Sequence, residues 1–179
     1  GMYTAKITAY RDDAGKTPEF DMLATVVIPY ELNSSNNYKM NWKDQSVNQG
    51  MIKRYFVKVP AGQNSMKVVL SRDASSNKYS RCRYFLYNNN GIQVDQSTVL
   101  YSVNKDEKVE GYYYDLEPGI YEVDVDGFFL ATDPSAYNLS VEFLSIQSVD
   151  GNELSSSDKR IEFVNYFNET KTYNINAEI

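Results

Sequence analysis

Residues 54–70 read RYFVKVPAGQNSMKVVL, two short runs of alternating apolar and polar residues around a turn. The apolar members of the runs are Tyr55, Val57 and Val59, then Met66, Val68 and Leu70. Alternation with a period of two is typical of a strand that lies half in a core and half in water. Pro60 cannot donate to a sheet ladder and Gly62 tolerates positive φ, so the chain reverses between the runs. The stretch predicts a β-hairpin.

The same alternation recurs along most of the chain and predicts an all-β fold. Turn-forming pairs such as Asn90-Gly91 and Pro118-Gly119 separate the runs. The predicted strands are 3–9, 22–28, 54–59, 66–70, 79–87, 92–103, 109–116, 121–126, 137–143, 161–167 and 171–179. About ten strands with turns roughly every 8–12 residues predict an antiparallel β-sandwich or a jelly roll.

The N-terminal third gives four more specific expectations. Residues 3–9 alternate cleanly and predict a half-buried strand. Residues 22–28 are apolar on both faces and predict a central strand, or one that is covered on both sides. The polar segment 11–21 between them predicts a loop. Residues 31–50 are rich in Asn and Ser and predict a long loop with a short strand at 38–42.

The length of the chain suits one domain, which we expect to have three parts. Residues 1–50 form N-terminal strands and a connector that packs on the sandwich. Residues 51–147 form the core β-sandwich. Residues 148–179 form C-terminal strands that complete the same domain.

The charge balance argues against one large class of partner. The chain has 18 Lys and Arg against 24 Asp and Glu, a net charge of −6. Nucleic-acid affinity is built from clustered basic residues, so we expect no nucleic-acid partner. No apolar run approaches the ~20 residues of a membrane helix, so we expect no membrane span.

The sequence contains no histidine, which excludes Ser-His-Asp and Cys-His catalysis within this chain. A Ser-Lys or carboxylate mechanism stays open. Cys82 is the only cysteine, so no internal disulfide is possible. It alternates with charged residues along a strand, which indicates a packed thiol rather than a nucleophile. We therefore expect no enzyme activity from this chain.

Three aromatic residues are candidate binding residues: Trp42, Tyr112 and Tyr114. Trp42 lies in the Asn-rich segment, where an exposed indole would stack on a sugar ring or a partner. Packing onto the domain is the commoner fate of a tryptophan. Tyr112 and Tyr114 share one face of a strand and Tyr113 takes the other. Either a binding platform or an ordinary mixture of core and surface tyrosines fits this pattern.

Three carboxylates, Glu122, Asp124 and Asp126, line one face of a predicted strand. At i, i+2 and i+4 they are candidate ligands for calcium, together with loop oxygens. They lack the spacing and the glycine of an EF-hand loop, and a solvated strand face is the ordinary explanation. Calcium is the one cofactor considered, and otherwise we expect none.

Several segments in order resemble one protein family. They are TPEFDMLATVVIPYEL (17–32), MIKRYFVKVPAGQNSMKVVLS (51–71), RYFLYNNNGIQV (83–94), DLEPGIYEVDVDGF (115–128) and YNLSVEFLSI (137–146). Together they resemble the β-rich region that follows the catalytic domain in large subtilisin-like serine proteases of the tripeptidyl-peptidase II type. The first segment is similar to the connector that leaves such a protease domain.

The resemblance implies a non-catalytic accessory domain with a stabilising, assembly or substrate-access role. Its partners would be the catalytic domain of the same polypeptide or neighbouring protomers. The triad of the family would lie upstream, so no catalytic residue is assigned to any position of this sequence. The resemblance favours an extracellular or cell-envelope location and leaves a cytoplasmic one open.

Two other hypotheses stay open beside the accessory domain. One is a carbohydrate- or surface-binding module that uses Trp42 and the tyrosines on a sandwich face. The other is an extracellular structural or adhesion repeat, although no internal repeat is visible within the chain.

Overall fold

A computed structural model describes residues 1–11, 17–72, 79–101, 107–144, 146–148 and 163–165 of the chain. Its strands, in chain order, are β1 (Met2–Tyr10), β2 (Pro18–Val27), β3 (Tyr30–Glu31), β4 (Lys39–Val47), β5 (Ile52–Val59), β6 (Met66–Arg72), β7 (Arg81–Tyr87), β8 (Gln93–Gln96), β9 (Leu100–Tyr101), β10 (Lys108–Tyr113), β11 (Gly119–Gly127), β12 (Ser135–Phe143), β13 (Ile146–Ser148) and β14 (Phe163–Asn165). A single 3₁₀ turn, Ser34–Asn36, accompanies them among these residues.

Two sheets pack face to face and form the sandwich that the alternation predicts. One sheet has four strands in the order β10-β6-β12-β4. The other has six, in the order β3-β5-β11-β7-β8, with β9 also paired to β7. The pairs within both sheets are antiparallel except that of β3 with β5, which is parallel. The expected antiparallel all-β fold is therefore confirmed.

The predicted hairpin at 54–70 is wrong in its pairing. β5 belongs to the six-stranded sheet and β6 to the four-stranded sheet, so the turn at Pro60 and Gly62 crosses from one layer to the other. Gly62 has a φ of +85°, as a sharp reversal requires. The alternation predicted correctly which side chains face inward. It did not predict whether the two strands would pair within one sheet or face each other from two sheets across the core.

The core is built from the inward-facing side chains of both sheets. Val57 on β5, Leu70 on β6, Val123 on β11 and Val141 on β12 are completely buried. All six apolar residues that were singled out at 54–70 belong to this cluster. Burial of apolar surface is the main favourable term in folding, and it scales with the area removed from water.

Two hydrogen bonds between tyrosine hydroxyls join the sheets through the core. Tyr55 on β5 and Tyr137 on β12 lie 2.7 Å apart at their hydroxyl oxygens. Tyr84 on β7 and Tyr113 on β10 are also 2.7 Å apart. Tyr113 in turn donates to Asp95 at 2.5 Å. These pairs satisfy polar groups that would otherwise be costly to bury.

The N-terminal strands are present, but their predicted burial is wrong. β1 and β2 pair only with each other among the described strands, in a two-stranded ribbon. Neither strand contains a buried residue, and Leu23 of β2 is 73% exposed. β2 is therefore not a central strand. It also begins at Pro18, inside the segment predicted as a loop, of which residues 12–16 lie outside the described residues.

The segment 31–50 is more ordered than predicted. It contains β4, a nine-residue edge strand of the four-stranded sheet, in place of a loop with a strand at 38–42. Asp44 has a φ of +53°, and the register of β4 on β12 shifts at this point. Asn138 on β12 accepts a hydrogen bond from the Asp44 amide at 2.9 Å. A bulge of this kind breaks the period of two, which hides the strand from pattern analysis.

The remaining predictions are met in part. Gly91, with a φ of +74°, closes the expected turn between β7 and β8. The strand predicted at 92–103 is divided into the short strands β8 and β9. The strand predicted at 161–167 is described only at Phe163–Asn165, which pairs with β13. The strand predicted at 171–179 lies outside the described residues.

We predict that Gly111→Ala destabilises the sandwich by roughly 1–3 kcal/mol, the usual cost of overpacking a core. Gly111 lies on β10 over the hydroxyl pair, and a Cβ there would lie 2.2 Å from the Tyr84 hydroxyl and 2.3 Å from that of Tyr113. Urea unfolding would measure the loss. Lys108→Ala, at an exposed position of the same strand, should change stability by less than about 0.5 kcal/mol. Equal stability of Gly111→Ala and the natural chain would contradict the prediction.

Candidate functional site

A cleft of about 550 Å³ opens where the end of β10 meets the turn after β7. Tyr112, Tyr114 and the residues up to Glu117 form one wall, and the turn Asn88–Asn90 forms the other. We call it the tyrosine cleft. Its volume lies within the range of small-molecule sites, about 300–1,000 Å³. Two of the three aromatic residues predicted to bind a ligand therefore lie in one cleft.

Hydrogen bonds between the two walls hold the tyrosine cleft in shape. Asn88 Oδ1 accepts from the amides of Asn90 and Ile92, each at 3.0 Å, and so closes the turn. Asn89 Nδ2 donates to the carbonyl of Pro118 at 3.1 Å. Gly119 permits this close approach, because a Cβ there would lie 2.5 Å from the Asn89 Cβ. The protein's own hydrogen bonds thus fix the shape of the cleft.

Tyr112 and Tyr114 differ in the contacts that their side chains make with the rest of the protein. The Tyr112 hydroxyl donates to Glu110 at 3.1 Å, and the Lys67 ammonium lies 5.1 Å from the centre of its ring. The Tyr114 side chain is 65% exposed and makes no hydrogen bond to the described residues. The Asp115 backbone that follows has a φ of +56°, a left-handed conformation that Asp tolerates. Tyr114 is the freer of the two rings.

Trp42 is not part of the tyrosine cleft. Its ring lies at the edge of the core, 5.0 Å from the ring of Tyr30 and 4.8 Å from that of Tyr55. The Tyr30 contact is edge to face, a favourable arrangement for aromatic pairs. Trp42 is half-buried there, where it packs against the domain.

The three predicted metal ligands lie on the outer face of β11. Glu122 lies 3.5 Å from the Nε of Arg54, and Asp126 lies 3.1 Å from the Nε of Arg83. Among the residues that the structure describes, no three Asp, Glu or Cys side chains are arranged to hold a metal ion. A calcium site here stays a prediction from the sequence.

Asp124, between them, is not on a solvated face. Its side chain is 4% exposed, and its buried Oδ1 has no hydrogen-bond partner within the described residues. On the neighbouring strands Arg54 and Phe85 lie directly opposite it. Burial, and then the adjacent Glu122 carboxyl, raise the pKa of Asp124 to about 7. The carboxyl therefore gains a proton near neutral pH.

The ribbon of β1 and β2 carries a feature that the sequence analysis missed. Alternate cross-strand pairs give it one wholly apolar face, made of Tyr3, Ala5, Ile7, Ala9, Phe20, Met22, Ala24 and Val26. The opposite face is mixed, with an ion pair of 2.7 Å between Lys6 and Asp21 and a hydrogen bond between Thr4 and Thr25. The clean alternation at 3–9 was the signal. It led to the prediction of a half-buried strand, whereas the face is exposed.

No family model matches the sequence, and no curated protein matches it. No helix in the described part of the chain is long and apolar enough to cross a membrane. The structural comparison, in contrast, finds several chains of similar fold.

The sandwich has the fold of one segment of a much larger peptidase. It superposes on the crystal structure of tripeptidyl peptidase 2 with a TM-score of 0.63 and 17% sequence identity, over 86% of this chain and 14% of that one. At this identity the likeness shows a shared fold. The match to Aeromonas hydrophila PliG, a periplasmic inhibitor of g-type lysozyme, is weaker, with a TM-score of 0.42 and 13% identity over 62% of this chain and 91% of that one.

We predict that Asp124→Asn stabilises the protein at high pH and leaves its stability unchanged at low pH. The folded-state pKa of about 7 lies above 3.8, the ordinary pKa of an aspartate side chain. Between these values the unfolded chain loses a proton that the folded protein keeps, so the stability contributed by Asp124 falls as the pH rises. Asn cannot ionise. At about 1.4 kcal/mol per pKa unit, the rise from 3.8 to about 7 corresponds to a gain on the order of 4 kcal/mol for the variant by about pH 8, and to almost none near pH 4.

Thermal or urea unfolding at several pH values would measure this difference. The matched control is Asp44→Asn, at an exposed carboxylate, which should alter stability by less than about 0.5 kcal/mol. A constant difference between Asp124→Asn and the natural chain across the pH range would disprove the assignment.

Proposed function

We propose that this chain is a non-catalytic accessory domain of a subtilisin-like serine protease. Its ribbon would dock on the catalytic domain of the same polypeptide. The observation that carries the proposal is the apolar face of the ribbon, which lies on regular strands and yet is exposed. The role is one of stabilisation, assembly or control of substrate access.

The composition of the face supports docking on a protein. Tyr3 is 63% exposed and Phe20 is 60% exposed, on neighbouring strands of one surface. Aromatic and Met side chains are enriched in protein interfaces, and contiguous exposed apolar patches mark interaction sites. The polar groups of the ribbon are on the other side, which would stay in water when the apolar face is covered.

The energetics of an isolated ribbon point the same way. A two-stranded hairpin is marginally stable in water unless it packs against something else. A partner that covers the apolar face would supply that packing. The free backbone edges of β1 and β2 would also be open to pairing, as in strand addition.

The fold likeness supports the choice of partner. The matching part of tripeptidyl peptidase 2 is about one-seventh of that chain, so the same sandwich exists there as one portion of a longer polypeptide. The sequence resemblance includes residues 17–32, which contain all of β2, and implies a position at the exit from a protease domain. A ribbon at this position is well placed to contact the domain that precedes it.

We predict that the double variant Ile7→Ser/Met22→Ser weakens binding to the catalytic domain by about tenfold or more. These residues are cross-strand partners at the centre of the apolar face. The experiment is to sequence the reading frame upstream, express the domain found there, and titrate it with this chain by calorimetry. The matched control is Ile92→Ser/Met51→Ser, which changes the same residue types at exposed positions outside the ribbon.

Three results would count against the proposal. One is an upstream frame without the Asp, His-Gly and Gly-Thr-Ser signatures of a subtilase. Another is equal weakening by the control variant, which would mean that the ribbon is not the contact. The third is a dimer of this chain that the ribbon variant separates, because the occupant of the face would then be a second copy.

We also predict that the purified chain hydrolyses neither casein nor fluorogenic peptides. It has no histidine. Its one thiol, Cys82, is buried with its pKa raised by that burial to about 12, so it is not a nucleophile near neutral pH. A peptidase assay before and after repurification would test this. Turnover that persists at constant specific activity would show that the chain is itself an enzyme.

A further inference from the structure

We infer that the tyrosine cleft binds a short neutral saccharide, with the ring of Tyr114 against the apolar face of the sugar. The inference is independent of the docking proposal, because it concerns the cleft and not the ribbon. It also assigns sugar binding to residues other than Trp42, whose ring is packed against Tyr30 and Tyr55.

The unused polar groups of the cleft define what a ligand must supply. The side chains of Asn90, Tyr114 and Asp115 make no hydrogen bond with the described residues. An amide both donates and accepts, a phenol does the same, and an ionised carboxylate only accepts. The ligand must therefore offer donors and acceptors together. Hydroxyl groups do so, whereas an ammonium group only donates and a phosphate mainly accepts.

The charge of the cleft excludes anionic ligands. Asp115 and Glu117 line it, and no Lys or Arg is among its lining residues. A carboxylate or phosphate would meet the like charge of Asp115 and Glu117, and the nearby Lys67 is already paired with Glu110 at 3.4 Å. Sugar hydroxyls, in contrast, would donate to both carboxylates and remain neutral.

The apolar surface of the cleft suits the carbon skeleton of a sugar. Tyr114 presents an exposed ring, and Val94 and Leu116 add aliphatic surface. A pyranose ring has one face of C–H groups and a periphery of hydroxyls, so it matches an aromatic surface bordered by polar groups. Tyr114 would contribute most to binding, since the ring of Tyr112 already has a cation beside it.

The cleft is also held in shape by the protein's own contacts. The bond from Asn89 to the Pro118 carbonyl joins its two walls, and the Tyr121 hydroxyl accepts from the Glu117 amide at 3.1 Å. A preformed site loses little conformational entropy when it binds, which favours weak but specific ligands such as sugars.

The test begins with the full chain on an array of neutral glycans. The best neutral oligosaccharide is then titrated by calorimetry and by NMR. We expect millimolar or tighter binding, with amide shifts concentrated in residues 88–90 and 112–117. Tyr114→Ala should weaken binding about tenfold or more. Tyr79→Ala is the matched control, because Tyr79 is 66% exposed and lies outside the cleft.

Asp115→Asn is the second variant, in case Tyr114→Ala alters the fold, and circular dichroism checks both. It should weaken binding through loss of an acceptor, while thermal stability stays near that of the natural chain. No binding of any neutral glycan at millimolar concentration would overturn the inference. So would sugar binding that neither variant weakens, or binding of a lysine-rich peptide in place of sugars at the same residues.

Discussion

Burial of the two inner sheet faces against each other is the interaction on which the rest of the structure depends. Val57, Leu70 and Val141 lose all contact with solvent there. Apolar burial is favourable but not directional, so by itself it would allow the sheets to slide. The hydroxyl pairs Tyr55–Tyr137 and Tyr84–Tyr113 are directional and span both layers. They select one arrangement of the sheets, and that arrangement brings the end of β10 beside the turn after β7.

Much of the fold follows from the sequence because a period of two is a property of single strands. The inward residues of β5 and β6 were predicted correctly for this reason. Strand pairing cannot be inferred in this way, because it depends on which of the two sheets each strand joins. The crossing at Pro60–Gly62 has the same local signals as a hairpin turn. The bulge at Asp44 hid β4 in a similar way, because the alternation changes phase in the middle of the strand.

In the candidate sites, too, the properties of single strands could be predicted and the contacts between strands could not. The shared face of Tyr112 and Tyr114 could be inferred from spacing alone, but the opposite wall of the cleft lies more than twenty residues earlier and on the other sheet. Asp124 was expected on a solvated face, as a carboxylate alternating with valines would be. Its neighbours across the sheet are long or aromatic side chains, which cover a short one. A pattern along one strand carries no information about the strands beside it.

The ribbon has a consequence for how the protein must be made. Its strands are adjacent in the chain, so they pair early, whereas the sandwich must wait for contacts between distant segments. From that moment the apolar face of the ribbon is exposed to water, and its two strands pair only with each other among the described strands. Such surfaces pair with one another when nothing else is available. If the apolar face is covered by a partner domain as we propose, the time between synthesis of the ribbon and its coverage sets a protein concentration above which self-association competes with docking.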